Sequence, residues 1–187
     1  MSTAREELVE KFDRINGFIG YSIAVPNDTL VVTTGFFADK KGAEESTQVA
    51  REWVNKNFAD VVEGPPQVTE GSVVVSDGIP DAPVGYGVMR KGTWPGGAEA
   101  SAQKIREGLI PLLRSVAGYA SYALVDVGGN QVVTLVAFKD KAAAEEGAKV
   151  GPPWVEKNLP DATLQSTTQA EIKLRHVNEE AVAAAAR

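Results

Sequence analysis

The stretch WVNKNFAD at residues 53–60 returns as WVEKNLPD at residues 154–161, an offset of 101 positions. Sliding the chain on itself by that offset aligns Gly17 with Gly118 and runs without a gap to Asp60 against Asp161. Tyr21 meets Tyr122, Val31-Val32-Thr33 meets Val132-Val133-Thr134, and Asp39-Lys40 meets Asp140-Lys141. Self-similarity over a domain-sized stretch, in two copies only, indicates a duplicated unit rather than a solenoid of short repeats. Whatever fold the chain adopts must therefore be built from two related halves.

Each copy carries the same order of elements. Ala4, Leu8, Phe12 and Ile15 fall at helical spacing and register with Ile105, Leu109, Leu113 and Val116, so one apolar helix face is expected in each copy. Thr3 to Glu6 has the form of a capping box, and Gly17 and Gly118 are expected helix stops. After each glycine come two β-rich runs split by turn residues, Pro26-Asn27-Asp28 in the first copy and Gly128-Gly129-Asn130 in the second, which predicts two hairpins. Asp39 and Asp140 then read as N-caps of a second helix. Its inner stripe in the first copy is Ala43, Ala50, Trp53, Val54 and Phe58. A last strand is expected at residues 72–77 and again at residues 170–177.

The second copy has one element more. A strand from Val84 to Gly92 precedes its first helix, giving β-α-β-β-α-β, whereas the first copy starts directly in a helix. The slot of that missing strand is expected to be filled by residues 72–91 folding back as a hairpin. Pro152 and Pro153 precede Trp154 in the second copy, so its second helix is expected to break or restart there. These boundaries give a first repeat at residues 1–80, a second at 81–178 and an Ala-rich tail at 179–187.

The residues INGFIGYSI and VAGYASYAL, the run VVTTGFFADKKGAEES and the segment AREWVNKNFAD together resemble the antibiotic-biosynthesis-monooxygenase-like domains of the dimeric α+β barrel superfamily. The resemblance covers residues 4–75 and 84–177. It implies an α+β fold of two tandem ferredoxin-like repeats forming a single-chain pseudo-dimeric α+β barrel. It also implies a function like that of cofactor-independent monooxygenases, with Tyr, Trp, Asn and Arg side chains lining an apolar pocket and an aromatic molecule oxidised there. The haem-degrading pattern of that superfamily is not met: the strand at 84–92 has no Asn, and no His lies near either repeated tryptophan. No cofactor is therefore expected.

Composition narrows the partners. A net charge of −6 and no basic stripe oppose a phosphate backbone, so nucleic acid is not expected. No apolar run approaches the length of a membrane span and no signal-peptide pattern opens the chain, so the expectation is a cytoplasmic protein without a membrane partner. The absence of cysteine and the single histidine leave no thiolate nucleophile, and no metal site is expected. A small apolar or aromatic molecule is the expected ligand, and homo-oligomerisation is left open.

Tyr86, Arg90 and Trp94 have no counterpart in the first copy, which makes the second copy the expected host of a working pocket. There Arg90 would contact an anion or oxyanion and Tyr86 would donate a proton, with Tyr122 as a third catalytic candidate. Tyr21, Thr33, Trp53, Trp94, Thr134, Trp154 and His176 complete the expected pocket. Each has a structural alternative: core packing for Trp53 and Trp154, cross-strand hydroxyl pairing of Tyr21 with Thr33 and of Tyr122 with Thr134, an exposed or structural role for His176, and an edge or linker position for Arg90 and Trp94. A noncatalytic ligand-binding protein, or a structural assembly protein with filled cores, remains the competing reading.

Overall fold

The computed structural model describes residues 4–60 and 62–181. Thr3, the expected capping residue, and the last six residues of the tail lie outside them. The chain is α+β, with α1 (Ala4–Asp13), β1 (Phe18–Asn27), β2 (Leu30–Phe37), α2 (Lys40–Phe58), β3 (Ser72–Gly78) and β4 (Tyr86–Thr93). There follow α3 (Gly97–Lys104), a π-helical turn (Ile105–Leu109), α4 (Ile110–Arg114), β5 (Tyr119–Gly128), β6 (Gln131–Phe138), α5 (Lys141–Asn158) and β7 (Thr163–Val177).

Local bonds recur at the sequence offset. Gly17 and Gly118 have φ of 76° and 87°, a conformation open to glycine at little cost, which turns the chain out of the first helix of each copy. Their carbonyls accept from Ala38 N–H and Lys139 N–H, both at 2.7 Å. Asp39 Oδ1 accepts from Gly42 N–H, and Asp140 Oδ1 from Ala143 N–H, each at 2.9 Å. Asn57 and Asn158 donate from their side-chain amides to the carbonyls of Trp53 and Trp154, at 2.9 and 2.8 Å.

The chain forms two compact units whose boundaries differ from the repeat boundaries. One contains the chain through Ile23, Thr33–Thr69 and everything from Leu174; the other contains Ala24–Val32 and Glu70–Lys173. In the first unit, Leu8, Phe12, Ile15, Phe18, Tyr21 and Trp53 form a core with Leu174 from the end of β7. Phe12 lies against Tyr21 with ring centroids 4.5 Å apart, and Trp53 against Phe58 at 5.1 Å, tilted geometries that aromatic pairs favour.

In the second unit the strand order is β7-β4-β6-β5-β3. The segment β4 to β7 is the β-α-β-β-α-β arrangement with its last strand beside its first, which is the ferredoxin-like order. Its core runs from Val75 and Val88 through Ile105, Leu109 and Leu113 to Leu124, Val136 and Phe138. The unit therefore completes itself with β3, a strand encoded in the first repeat. The first unit in turn takes the end of β7, a strand encoded in the second.

Three expectations are corrected. Residues 72–91 do not form a hairpin: β3 pairs antiparallel with β5, and β4 pairs with β6 and β7. Val75, 1% exposed, is buried in the second unit's core, and Asp77 beside it is clamped by Arg114 and Tyr119, so β3 is held away from β4. Because nothing fills the missing-strand slot, β2 stays at the end of the strand order among the described residues. Second, α5 runs through Pro152 and Pro153 without a break. The prolines remove the donors for the carbonyls of Ala148 and Lys149, but both of these residues are exposed, where solvent can take the donors' place. Third, β7 begins seven residues before the expected start at Ala170.

Candidate functional site

The helix-facing side of the second unit's sheet holds a cavity of about 350 Å³. Alternation along β4 and β6 brings Arg90, Val132, Thr134 and Val136 to it, and β5 contributes Tyr122. Leu109 and Leu113 form one helical wall and α5 forms the other. The α5 wall can stand close to the sheet because it presents small residues, Ala144, Gly147, Ala148 and Gly151. A Cβ on Gly147 would come within 2.4 Å of the Phe138 ring, so glycine there is required by the ring that closes the cavity's inner end.

Two polar groups stand out in this apolar lining. The Tyr122 hydroxyl is buried and has no hydrogen-bond partner. Burial pushes its phenol well above the ordinary tyrosine range, and the positive charge of Arg90 opposes only part of that shift. Tyr122 is thus a neutral donor at physiological pH. Arg90 is half-buried on β4, and loss of water lowers its guanidinium below the usual arginine value, with Tyr122 pulling the other way. Among the described residues no carboxylate pairs with it. A cation and an unsatisfied phenol donor in an apolar cavity could together hydrogen-bond an anionic oxygen.

The first unit treats the equivalent tyrosine differently. Burial also raises the Tyr21 phenol, but a side-chain hydrogen bond with Thr33 offsets part of the shift. The expected pairing of Tyr21 with Thr33 is made, and that of Tyr122 with Thr134 is not. Arg90 lies directly across from Thr134 in the β4–β6 register, and among the described residues the first repeat has no corresponding strand.

Of the expected site residues, Arg90, Tyr122, Trp94 and Thr134 meet in one cavity. Tyr86 does not line it: it is 7% exposed in the second unit's core, opposite Phe138 at the far end of β4. Trp154 is half-buried against Gly108 on the neighbouring helical run, where a Cβ would come within 2.7 Å of the indole, and it does not face the cavity. Tyr21, Thr33, Trp53 and His176 belong to the first unit. His176 Nε2 lies 2.7 Å from Asp13 Oδ1 and its ring stacks on Phe18 at 5.7 Å, a structural role. Trp53 packs in the first unit's core, with its indole N–H buried and unpartnered.

Sequence reasoning missed Glu156, Pro152 and Leu164 at the cavity rim. The alignment of the copies held a signal for the first, because Glu156 stands where the first repeat has Asn55. A hollow on α2, lined by Glu44, Arg51 and Glu52 among others, draws its walls from one helix alone.

No protein-family model matches the sequence, and no curated protein matches it significantly. Solved structures do match. A candidate monooxygenase of Fusobacterium nucleatum superposes with a TM-score of 0.63 at 14% identity, over 95% of this chain and 86% of that one. A candidate monooxygenase of Lactobacillus acidophilus gives 0.60 at 11% identity, over 93% and 88% of the two chains. An anthrone oxidase-like protein gives 0.58 at 13% identity, over 95% and 86%. Among the described residues no helix is long and apolar enough to cross a membrane. The chain thus shares the α+β fold, built on ferredoxin-like units, of these solved monooxygenase-like structures.

Proposed function

We propose that the second unit binds a small aromatic molecule bearing one acidic oxygen and oxidises it with O2. The observation that carries this reading is the buried, unpartnered Tyr122 hydroxyl beside the unpaired Arg90 in an apolar cavity. A volume near 350 Å³ lies at the small end of the range for small-molecule sites, roughly 300–1,000 Å³. A ligand of two or three fused rings suits it.

The chemistry follows from what the two groups stabilise. Arg90 and the Tyr122 hydroxyl both favour the deprotonated phenolate or enolate over its neutral form, and that anion is the electron-rich species that reacts with O2. In the overall reaction a ring CH2 and O2 give a ring carbonyl and water, one oxygen atom going to each product. Thr134 and Trp94 complete the walls, and the apolar lining excludes bulk water, which strengthens both contacts on the anion. The anthrone oxidase-like neighbour is consistent with this substrate class.

Anthrone is the test substrate. Quinone formation and O2 uptake are expected with the unaltered protein and are expected to fall by about 100-fold in Arg90→Met, as for loss of one oxyanion contact. Tight binding of anthrone without turnover would instead support the noncatalytic ligand-binding reading. Neither binding nor turnover of any phenol would overturn the assignment of this cavity.

A further inference from the structure

The outer wall of the cavity is made where two helices both depart from regular geometry. In α5 the consecutive residues Gly151, Pro152 and Pro153 sit in mid-helix, and the carbonyls of Ala148 and Lys149 have no backbone donor one turn on. The face of α5 beyond this point, Val155 and Glu156, lines the cavity, as do Pro160 and Leu164 that follow it. Facing it, the helical run of α3 and α4 is interrupted by the π turn at Ile105–Leu109, where Ile110 N–H donates to Ile105 O. Pro111 explains that turn, because it cannot donate to the carbonyl of Glu107. The two irregular stretches touch at one place. Trp154, directly after the prolines, rests its indole on Gly108 inside the π turn, with no room for even a methyl group between them.

We propose that residues 152–162 are a movable wall through which the ligand reaches Arg90 and Tyr122, hinged at Gly151-Pro152-Pro153 and latched by Trp154 on Gly108, with β7 anchoring its far end from Thr163. The proposal rests on the cavity being the ligand site. A hinge needs a helix that bends without breaking bonds, and the double proline supplies one: the two hydrogen bonds that would resist bending are already absent. A latch needs a contact that holds in one position and can be released whole, which an indole on a glycine provides. The wall ends where β7 joins β4 at Thr163 and Leu164, and Leu164 there is 66% exposed, so its outer rim meets solvent. The counterpart of Pro152-Pro153 in the first repeat is Arg51-Glu52, ordinary helix residues, and the counterpart of Gly108 is Glu7. Hinge and latch are thus confined to the repeat that holds the cavity.

Two measurements test this, the first without any ligand. In amide hydrogen exchange, Gly108→Ala, which displaces the indole, is expected to speed exchange across residues 154–162 by about 10-fold, while Pro153→Ala slows it below the unaltered protein. Pro153 is exposed and does not line the cavity, so the fold and the site are expected to be retained. Unchanged exchange in both variants overturns the proposal. In stopped-flow binding of 1-naphthol, the unlatched variant should raise association and dissociation rates together by about 3-fold or more, and the stiffened variant should lower both, each leaving Kd nearly constant. A change in Kd at constant association rate overturns the gate. If 1-naphthol fails to bind at all, the assignment of the cavity fails, and the exchange experiment still decides whether the wall moves.

Discussion

Replacing Tyr122 by phenylalanine should stabilise the protein while weakening its ligand site, an unusual pair of signs for a change at a residue only 3% exposed. The Tyr122 hydroxyl is desolvated and makes no hydrogen bond, so its removal relieves a penalty of about 1–3 kcal/mol and leaves the ring packing in place. The low end of that range sets the expected net gain at about 1 kcal/mol. For a chain of this size such a gain raises Tm by roughly 2–4 °C. Tyr21→Phe is the internal control: it deletes a hydroxyl bonded to Thr33 and should cost about 1 kcal/mol. The two repeats thus answer the same substitution with opposite signs. Urea unfolding followed by tryptophan fluorescence measures both. Binding of 1-naphthol to Tyr122→Phe should weaken by about 10- to 100-fold, the worth of a hydrogen bond to a charged oxygen. Equal destabilisation by Tyr122→Phe and Tyr21→Phe would refute the claim that the second phenol is held unsatisfied for a ligand.

Alkaline pH should unfold the chain from about pH 10 upward. The phenols of Tyr21, Tyr119 and Tyr122 are all raised in the folded state, so their contribution is complete below the unfolded value of about 10 and is lost as pH climbs toward the folded values. Absorbance at 295 nm should show those three tyrosines ionising only with unfolding. Tyr119→Phe removes the 2.8 Å bond from its hydroxyl to Asp77 Oδ2 and should cost about 1.5–3 kcal/mol, seen as a lower urea midpoint at unchanged slope. Gly147→Ala drives a methyl group into the Phe138 ring and should destabilise by about 1–3 kcal/mol while reducing naphthol affinity, because the displaced ring lines the cavity.

Much of the fold was legible because it is set locally. Asp39 and Asp140 cap their helices through their own side chains, Gly17 and Gly118 turn the chain by their own φ, and the hairpin residues precede and follow their own turns. The partner of each final strand was not legible. Residues 72–78 look like a strand in any setting, and only the burial of Val75 and the clamp on Asp77 decide that β5 receives them. The path of α5 was misread for a related reason: proline predicts a lost donor, but whether the helix ends depends on whether water reaches the stranded carbonyls. At the site, Arg90, Trp94, Tyr122 and Thr134 could be picked out by residue type and by the lack of a first-repeat counterpart for Arg90 and Trp94. Tyr86 could not be separated from them, because it shares a strand and a face with Arg90 and differs only in lying at the end where Phe138 closes the space.

The second repeat supplies a full ferredoxin-like set of strands but has its β5 edge covered by β3 from the first repeat, and the end of β7 completes the first unit's core. Severed between the repeats, each fragment would carry away chain that its sibling uses, and the two could regain those contacts only by finding one another in solution. A single covalent chain replaces that bimolecular search with a permanently high local concentration. The cover that β3 gives the second unit consequently should not depend on how dilute the protein becomes, whereas a pair of separate subunits sharing the same contacts would come apart on dilution.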